Sequence, residues 1–589
     1  MIFECLVLLI AWSVLLLPVT AAVFVLLSRF SLFHPIQWIS ECTSLLTASS
    51  TIFSLVVLCG VVLITGLFNL EFYTLVPSIP CSRMALLGTV LHPRQCVHSL
   101  VYCTMGMLVM WCASVTIGGR YSTLGIPCRQ SESGEVVTCL NEYHLFLLLA
   151  GAFMGYSHSF LGVVQNMYYV SFQPIQQYKY PRFKGCLPMV VKCSVIQSLY
   201  SARNFAALYF FFGYAPKTWI SSTLHLQIDS SLQPLDSLTG LLDFSLLYHL
   251  TISGTFLYFT WYLTVLLFRI YVTEVLKCEG FIVGYMKAND ITLVPFFALQ
   301  DLALLSQHSL SRRLEVFCLS QPGGHPHNWN AISRECLSLL SELTQRLVAH
   351  QDAVASNGRV KSQSASSDTR SASLSSSGKD IAETPRLGVP ALTAPFTPDV
   401  DSPFSSPAIR RLVGQQEPRS PWFGTVQSPH IMRRGPKLWS ASTGLNRGFS
   451  LSKMFSSNVQ LPEASSQALF ADSQVHIWAL QGLSHLVAAS FSEDQFGVVQ
   501  TTLPNILSCL VVLLEAVDRH FKLPHASSKP ARAVCRMGDS TYKTLRFALR
   551  AALKTAIYKI TTTFGEHLNA VNISTEHRKR LQQFLEFKE

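Results

Sequence analysis

The sequence predicts an all-α membrane protein: six transmembrane helices followed by a cytosolic-side helical C-terminal domain that a long disordered linker interrupts. Three observations lead there. Charge-free apolar runs recur through residues 1–269, loop charge changes sign from one connection to the next, and a Ser/Pro-rich stretch separates two helically patterned segments of residues 270–589.

A span needs ~20 helical residues to cross about 30 Å of hydrocarbon. It must be helical because lipid offers backbone groups no hydrogen-bond partner. Residues 5–28, 42–70, 95–119 and 143–178 contain no Asp, Glu, Lys or Arg, and 244–268 is equally clean between Asp243 and Arg269. The expected spans are 5–28, 45–68, 97–117, 145–168, 193–213 and 244–268. The fifth is marginal, since Arg203 stands there beside Asn204. A central Arg costs ~3 kcal/mol on insertion scales, while each Leu, Ile, Val or Phe returns only ~0.3–0.6. The span is kept because dropping it puts the tail and the basic 179–192 loop on opposite sides. Arg203 is then expected to face another helix or to snorkel. Thr20-Ala21-Ala22 resembles a signal-peptide cleavage site, but Glu4 stands where a basic residue belongs and the apolar run is too long. The first run therefore reads as a retained signal-anchor.

Loop charge sets the orientation. The connection after the second span (Glu71, Arg83, Arg94) nets +1 and that after the fourth (Lys179, Arg182, Lys184, Lys192) nets +4, against zero, −1 and −2 for the others. The positive-inside rule then places both termini, the two basic loops and the tail in the cytosol.

Sixteen cysteines in 589 residues fall mostly in spans or tail, where they act as small apolar fillers. Cys128 and Cys139 differ, because both lie in one lumenal loop with ten residues between them. An oxidising compartment admits a local disulfide there, or two free thiols. The one Asn-x-Ser/Thr acceptor, Asn572-Ile573-Ser574, lies in the tail and should stay unmodified in the cytosol.

In the tail, residues 270–355 form the helical first part of the C-terminal domain, with Ile332, Cys336, Leu340, Leu343 and Leu347 on one face. A turn-rich insert holds His325 and His327 without a Cys or acidic ligand at suitable spacing, so it reads as a loop and no metal is expected. Residues 356–465 turn Ser/Pro-rich and lose apolar periodicity, the composition of a disordered linker. Six Ser/Thr-Pro dipeptides, at Thr384, Thr397, Ser402, Ser406, Ser420 and Ser428, are candidate phosphorylation sites. Each phosphate adds roughly −1.5 to −2, enough together to overturn the linker's positive charge. Residues 466–589 are the helical second part; their periodicity suggests one domain with the first, though two separate domains stay open. Lys543, Arg546, Arg550 and Lys554 cluster on one helix face as a candidate membrane or partner surface, or a merely solvated one. The face lacks interleaved aromatics, so no direct nucleic acid is expected.

Catalytic signatures are missing: no Gly-x-Ser-x-Gly, no phosphate-binding Gly-rich loop, no His-Glu-x-x-His. His98, His158 and His249 each read as packed alone on an apolar background. No enzyme activity and no cofactor are expected. The rival reading is an endoplasmic-reticulum multi-pass transporter or lipid-handling enzyme with a regulatory cytosolic tail. Its mark would be polar residues clustered across several spans, where the sequence offers mainly Arg203.

Several segments resemble one family. Ser31-Leu-Phe-His-Pro-Ile-Gln-Trp38, Val76-Pro-Ser-Ile-Pro-Cys-Ser-Arg83, Cys139-Leu-Asn-Glu-Tyr-His-Leu-Phe146, Leu319-Ser-Gln-Pro-Gly-Gly-His-Pro-His-Asn-Trp329, Ala479-Leu-Gln-Gly-Leu-Ser-His-Leu-Val-Ala-Ala-Ser-Phe491 and Arg580-Leu-Gln-Gln-Phe-Leu-Glu-Phe-Lys-Glu589 are similar to segments of the vertebrate nuclear-division-cycle (NDC) transmembrane nucleoporins. The resemblance implies a nuclear-envelope protein that anchors nuclear pore complexes, supports their assembly and recruits soluble nucleoporins. It implies as partners the lipid bilayer of the pore membrane, the WD-repeat nucleoporin aladin and the RRM-like inner-ring nucleoporin. Two departures point to a shortened or divergent form. The chain enters its first span almost at once, and its linker lacks much of a basic amphipathic stretch before Pro462-Glu-Ala-Ser465.

Overall fold

A computed structural model describes residues 2–30, 33–129, 136–172, 177–227, 235, 237–241, 243–274, 293–321, 323–368, 462–523 and 541–586. The chain divides into two units, 1–356 with 457–589, and 357–456. Of the second, only the distal part of one helix lies among the described residues. The first carries everything that follows.

The membrane half runs α1 (Ile2–Ser28), α2 (Pro35–Thr47), α3 (Ser49–Phe72), α4 (Arg83–Val90), α5 (Pro93–Ile117), a hairpin of β1 (Gly125–Arg129) and β2 (Val136–Leu140), α6 (Glu142–Val164), α7 (Lys179–Phe212), α8 (Tyr214–Thr223), α9 (Leu238–Leu241) and α10 (Phe244–Val272). Among the described residues, five helices are long and apolar enough to cross a membrane: α1 over Val7–Ser28, then α3, α5, α6 and α10. The expected span 193–213 falls on α7 and its C-cap Gly213, and α7 is outside that five. Arg203, Asn204, Gln197 and Lys192 dilute its apolar content. Its inward face nevertheless packs on α10 through small residues. Ser194, Ser198, Ser201 and Ala202 are buried, Ser198 Oγ donates to the Thr251 carbonyl at 2.8 Å, and Ser201 Oγ meets Tyr258 Oη at 2.7 Å.

Ion pairs and hydrogen bonds gather the helix ends into two sets. At one end Arg120 pairs with Asp243 at 2.7 Å, Lys217 with Glu142 at 3.0 Å, and Tyr248 Oη donates to the Leu27 carbonyl at 2.8 Å. At the other Arg94 pairs with Glu71 at 2.7 Å, Lys179 with Glu274 at 2.7 Å, and Arg182 donates to Thr273 Oγ1 at 2.8 Å. The six long helices α1, α3, α5, α6, α7 and α10 thus lie side by side between the same two ends. The hairpin sits at the first end, its β2 also bridged to Gln227.

The tail runs α11 (Leu293–His308), α12 (Leu310–Phe317), α13 (His327–Asp368), α14 (Pro462–Leu469), α15 (Ser473–Glu493), α16 (Leu503–Phe521), α17 (Leu545–Phe564) and α18 (Thr575–Leu585). Its two halves share one core: Leu302, Leu340, Leu343 and Leu347 are buried with Leu483, Leu507, Leu514 and Leu553. Arg313 with Glu493 at 2.8 Å, Arg346 with Asp472 at 2.7 Å, and Trp329 Nε1 donating to Thr502 Oγ1 at 2.9 Å stitch the halves across the core rim.

Candidate functional site at the joint of bundle and tail

The tail does not hang from the bundle on a thread. Where α6 ends, Asn166 takes φ +51° and turns the chain beside the loop after α3. Thr74 N donates to the Tyr168 carbonyl at 2.9 Å and Val170 N to the Thr74 carbonyl at 3.0 Å. Two such bonds fix both loops and aim Phe172 at the tail. Its ring meets Trp478 at 5.2 Å, Phe296 at 5.8 Å and Phe297 at 6.0 Å. Tyr169 meets Tyr542 edge-on at 6.0 Å. Leu263, Leu267, Phe268 and Val272 of α10 enter the same core as Leu302 and Trp478 of the tail. Each large apolar side chain buried there contributes about 1.5–3 kcal/mol relative to exposure. Parting the domains therefore costs several such terms at once.

Cys128 and Cys139 come together on the paired strands, Cα atoms 5.8 Å apart, with the sulfurs joined. The basic stripe of α17 is divided. Arg546 is 2 % exposed and turned into the tail, its guanidinium over Phe547; Arg550 pairs with Asp518 at 2.7 Å, which Arg580 also approaches at 3.5 Å. Lys543 and Lys554 stay half-exposed, and Lys543 adjoins the Tyr542 that touches the bundle. The sequence pattern puts these four on one stripe, but α17 has α16 and α18 on either side, so the stripe is not one solvated face. Arg203 does not face another helix: it is exposed, bonded to Asn204 Oδ1 at 3.1 Å and set over Tyr200. Thr384, Thr397, Ser402, Ser406, Ser420 and Ser428 lie outside the described residues.

His98 and His158 are not each alone. His98 Nδ1 lies 2.7 Å from Ser159 Oγ, Gln95 Nε2 donates to the same oxygen at 2.8 Å and Ser99 Oγ reaches it at 2.8 Å. Tyr102 lies between the two imidazoles, 4.6 Å from His98 and 4.9 Å from His158. The cause is helical period on two facing helices: His98, Ser99 and Tyr102 on α5 meet His158 and Ser159 on α6. Glycines permit the approach, since a Cβ on Gly106 or Gly151 would strike the opposite backbone, as would one on Gly155. The Gly151-x-x-x-Gly155 spacing inside an apolar run was the available signal.

Kinship settles what this architecture belongs to. The family model for the nucleoporin protein Ndc1-Nup matches residues 6–582. The chain belongs to the Ndc1-Nup nucleoporin family. It is 76% identical to Nucleoporin NDC1 of Danio rerio, over 98% of this chain and 97% of that one. It is 50% identical to Nucleoporin NDC1 of Homo sapiens, over 98% and 96%. Nucleoporin ndc-1 of Caenorhabditis elegans is 27% identical over 50% of this chain and 42% of its own. Membership of this family makes the chain a structural transmembrane nucleoporin of the nuclear pore and not an enzyme.

Proposed function

We propose that the chain anchors the nuclear pore complex in the nuclear envelope by six membrane crossings, supports pore assembly and recruits soluble nucleoporins through its tail. The carrying observation is the aromatic seam of Phe172 with Trp478, Phe296 and Phe297. A load on the tail passes into the membrane helices through packed side chains. The sixth crossing is α7, whose two ends lie level with those of its neighbours. Lys179, Arg182 and Arg94 at the tail-bearing end favour the cytosolic and pore side for that end, both termini and the tail. The hairpin then faces the lumen, where the Cys128–Cys139 disulfide persists.

The partners in this reading are the pore-membrane bilayer, the WD-repeat nucleoporin aladin and the RRM-like inner-ring nucleoporin. Tethering raises the effective concentration of weak contacts to them. Lys543, beside the joint, is a basic contact for the membrane surface, and phosphorylation of the six Ser/Thr-Pro sites tunes recruitment. The transporter or lipid-handling reading draws only on the His98–His158 cluster, and kinship does not favour it. The test images a C-terminally tagged full chain at natural level, alone and with Trp478→Glu. The intact chain gives punctate rim signal coincident with pores, and the variant keeps the rim but loses co-purifying nucleoporins. Diffuse reticular signal from the intact chain overturns the reading.

A further inference from the structure

A cavity of about 250 Å³ lies where α3 and α6 end and α5 begins. Its walls combine opposite charges with aromatic and amide groups: Glu71, Arg94, Phe72, Gln95, Asn166 and Tyr168. The Arg94 guanidinium donates to the Glu71 carboxylate at 2.7 Å and to its carbonyl at 2.6 Å, and stands 4.7 Å over the Phe72 ring. Both charged side chains remain open to the outside, 55% and 69% exposed. The rear wall is fixed. Gln95 is held by Ser159, and Tyr168 lies so close to Gly162 that a Cβ there would meet its ring at 2.7 Å.

We propose that this cavity is a binding site for the headgroup of a zwitterionic glycerophospholipid. The phosphodiester takes the guanidinium of Arg94, which suits an anionic oxygen pair. The ammonium takes the open side of the exposed Glu71 carboxylate, while the Phe72 face carries Arg94. Charge complementarity selects a zwitterion: an anionic headgroup leaves Glu71 opposed by like charge, and a neutral one adds no charge contact to an Arg94–Glu71 pair that already satisfies itself. Position selects a lipid over a soluble phosphodiester. The cavity stands at the level where three apolar helices stop, and the next turn inward on α5 exposes Val97 and Leu100, an outer apolar surface along which acyl chains lie. The lipid so held is a structural wedge between α3, α5 and α6, on the same end of the bundle that seats the tail.

The experiment is native mass spectrometry of the full chain released from detergent, with added phosphatidylethanolamine or phosphatidylglycerol of matched acyl chains. The intact chain keeps phosphatidylethanolamine at least five-fold better than phosphatidylglycerol. Arg94→Gln, Glu71→Gln and the cavity-filling Thr89→Trp each lose that preference, while Arg94→Lys retains part of it. Tryptophan-fluorescence melts verify folding; Glu71 and Arg94 are exposed, so their variants melt with the intact chain. Equal retention by Arg94→Gln and the intact chain overturns the proposal, as does equal retention of the two lipids. Displacement by glycerophosphoethanolamine at the lipid's own concentration overturns the lipid assignment in favour of a soluble ligand.

Discussion

Gly155→Ala tests how the bundle is held. In the native structure α5 and α6 run backbone against backbone, and a Cβ at 155 would lie on the Tyr102 carbonyl and 2.8 Å from Cys103 N. Backbone cannot rotate away as a side chain does, so the helices must part by roughly 1 Å. A gap of that size forfeits a quarter to a half of each dispersion contact along the seam, and overpacked cores lose about 1–3 kcal/mol. Inside lipid no hydrophobic drive between helices compensates. Gly60→Ala in α3 is the control, because a Cβ there meets nothing within 4 Å and Ala gains about 1 kcal/mol over Gly in helix propensity. The assay is thermal unfolding of the full chain in one detergent, followed by tryptophan fluorescence. Gly155→Ala should melt lower than the native chain and Gly60→Ala equal or higher. Equal melting of the two variants refutes the argument that close glycine contact holds α5 to α6.

Burial, with His350 and Arg546 nearby, pushes the His520 imidazole down to about 4. The unfolded chain, at the ordinary 6.5, then binds a proton that the folded tail refuses. Tail stability is therefore full above pH 6.5 and falls as the pH drops toward 4. A melting series from pH 7.5 to 4 should show that slope, reduced but not removed in His520→Gln, since burial lowers His350, His476 and His485 as well; an unchanged slope sinks the assignment. Arg203→Leu should favour insertion of α7 by about 3 kcal/mol, read as more glycosylation of an acceptor engineered into the 213–243 connection in microsomes; no glycosylation of either form means α7 does not cross. Cys128 and Cys139 should resist alkylation in the intact chain until reductant is added, and full labelling without reductant counts against the lumenal disulfide. Acidic substitution of the six Ser/Thr-Pro sites should lower nucleoporin co-purification, and unchanged recovery removes the linker from regulation.

Much of the bundle was legible because length and charge are one-dimensional signals. The clean run at 244–268 reappears as α10, and Arg269 at its end donates to the Met167 carbonyl at 2.5 Å. Charge alone puts the second span at 45–68, but Pro35–Thr47 is a separate helix and the long one runs Ser49–Phe72. A charge-free stretch carries no mark of the bend at Ala48, whose ψ of 141° breaks the helix. What stayed hidden depends on two helices meeting. Nothing in His98 or His158 taken singly announces Tyr102 between them. On α17 the 3.6 period puts Arg546 on a stripe with Lys543 and Arg550, but which part of that stripe is covered is decided by Asp518 on α16 and Arg580 on α18.

The two halves of the chain are held by different physics. Between α5 and α6 contact rests on glycine and on the hydrogen bonds around Ser159, because lipid tails are as apolar as the side chains they replace. At the joint and through the tail it rests on burying Phe172, Trp478, Leu340 and Leu514 away from water. Urea, which weakens burial, should therefore release the tail before it loosens the bundle, while a harsher detergent should do the reverse. The aromatic seam at Phe172 is where the two regimes meet.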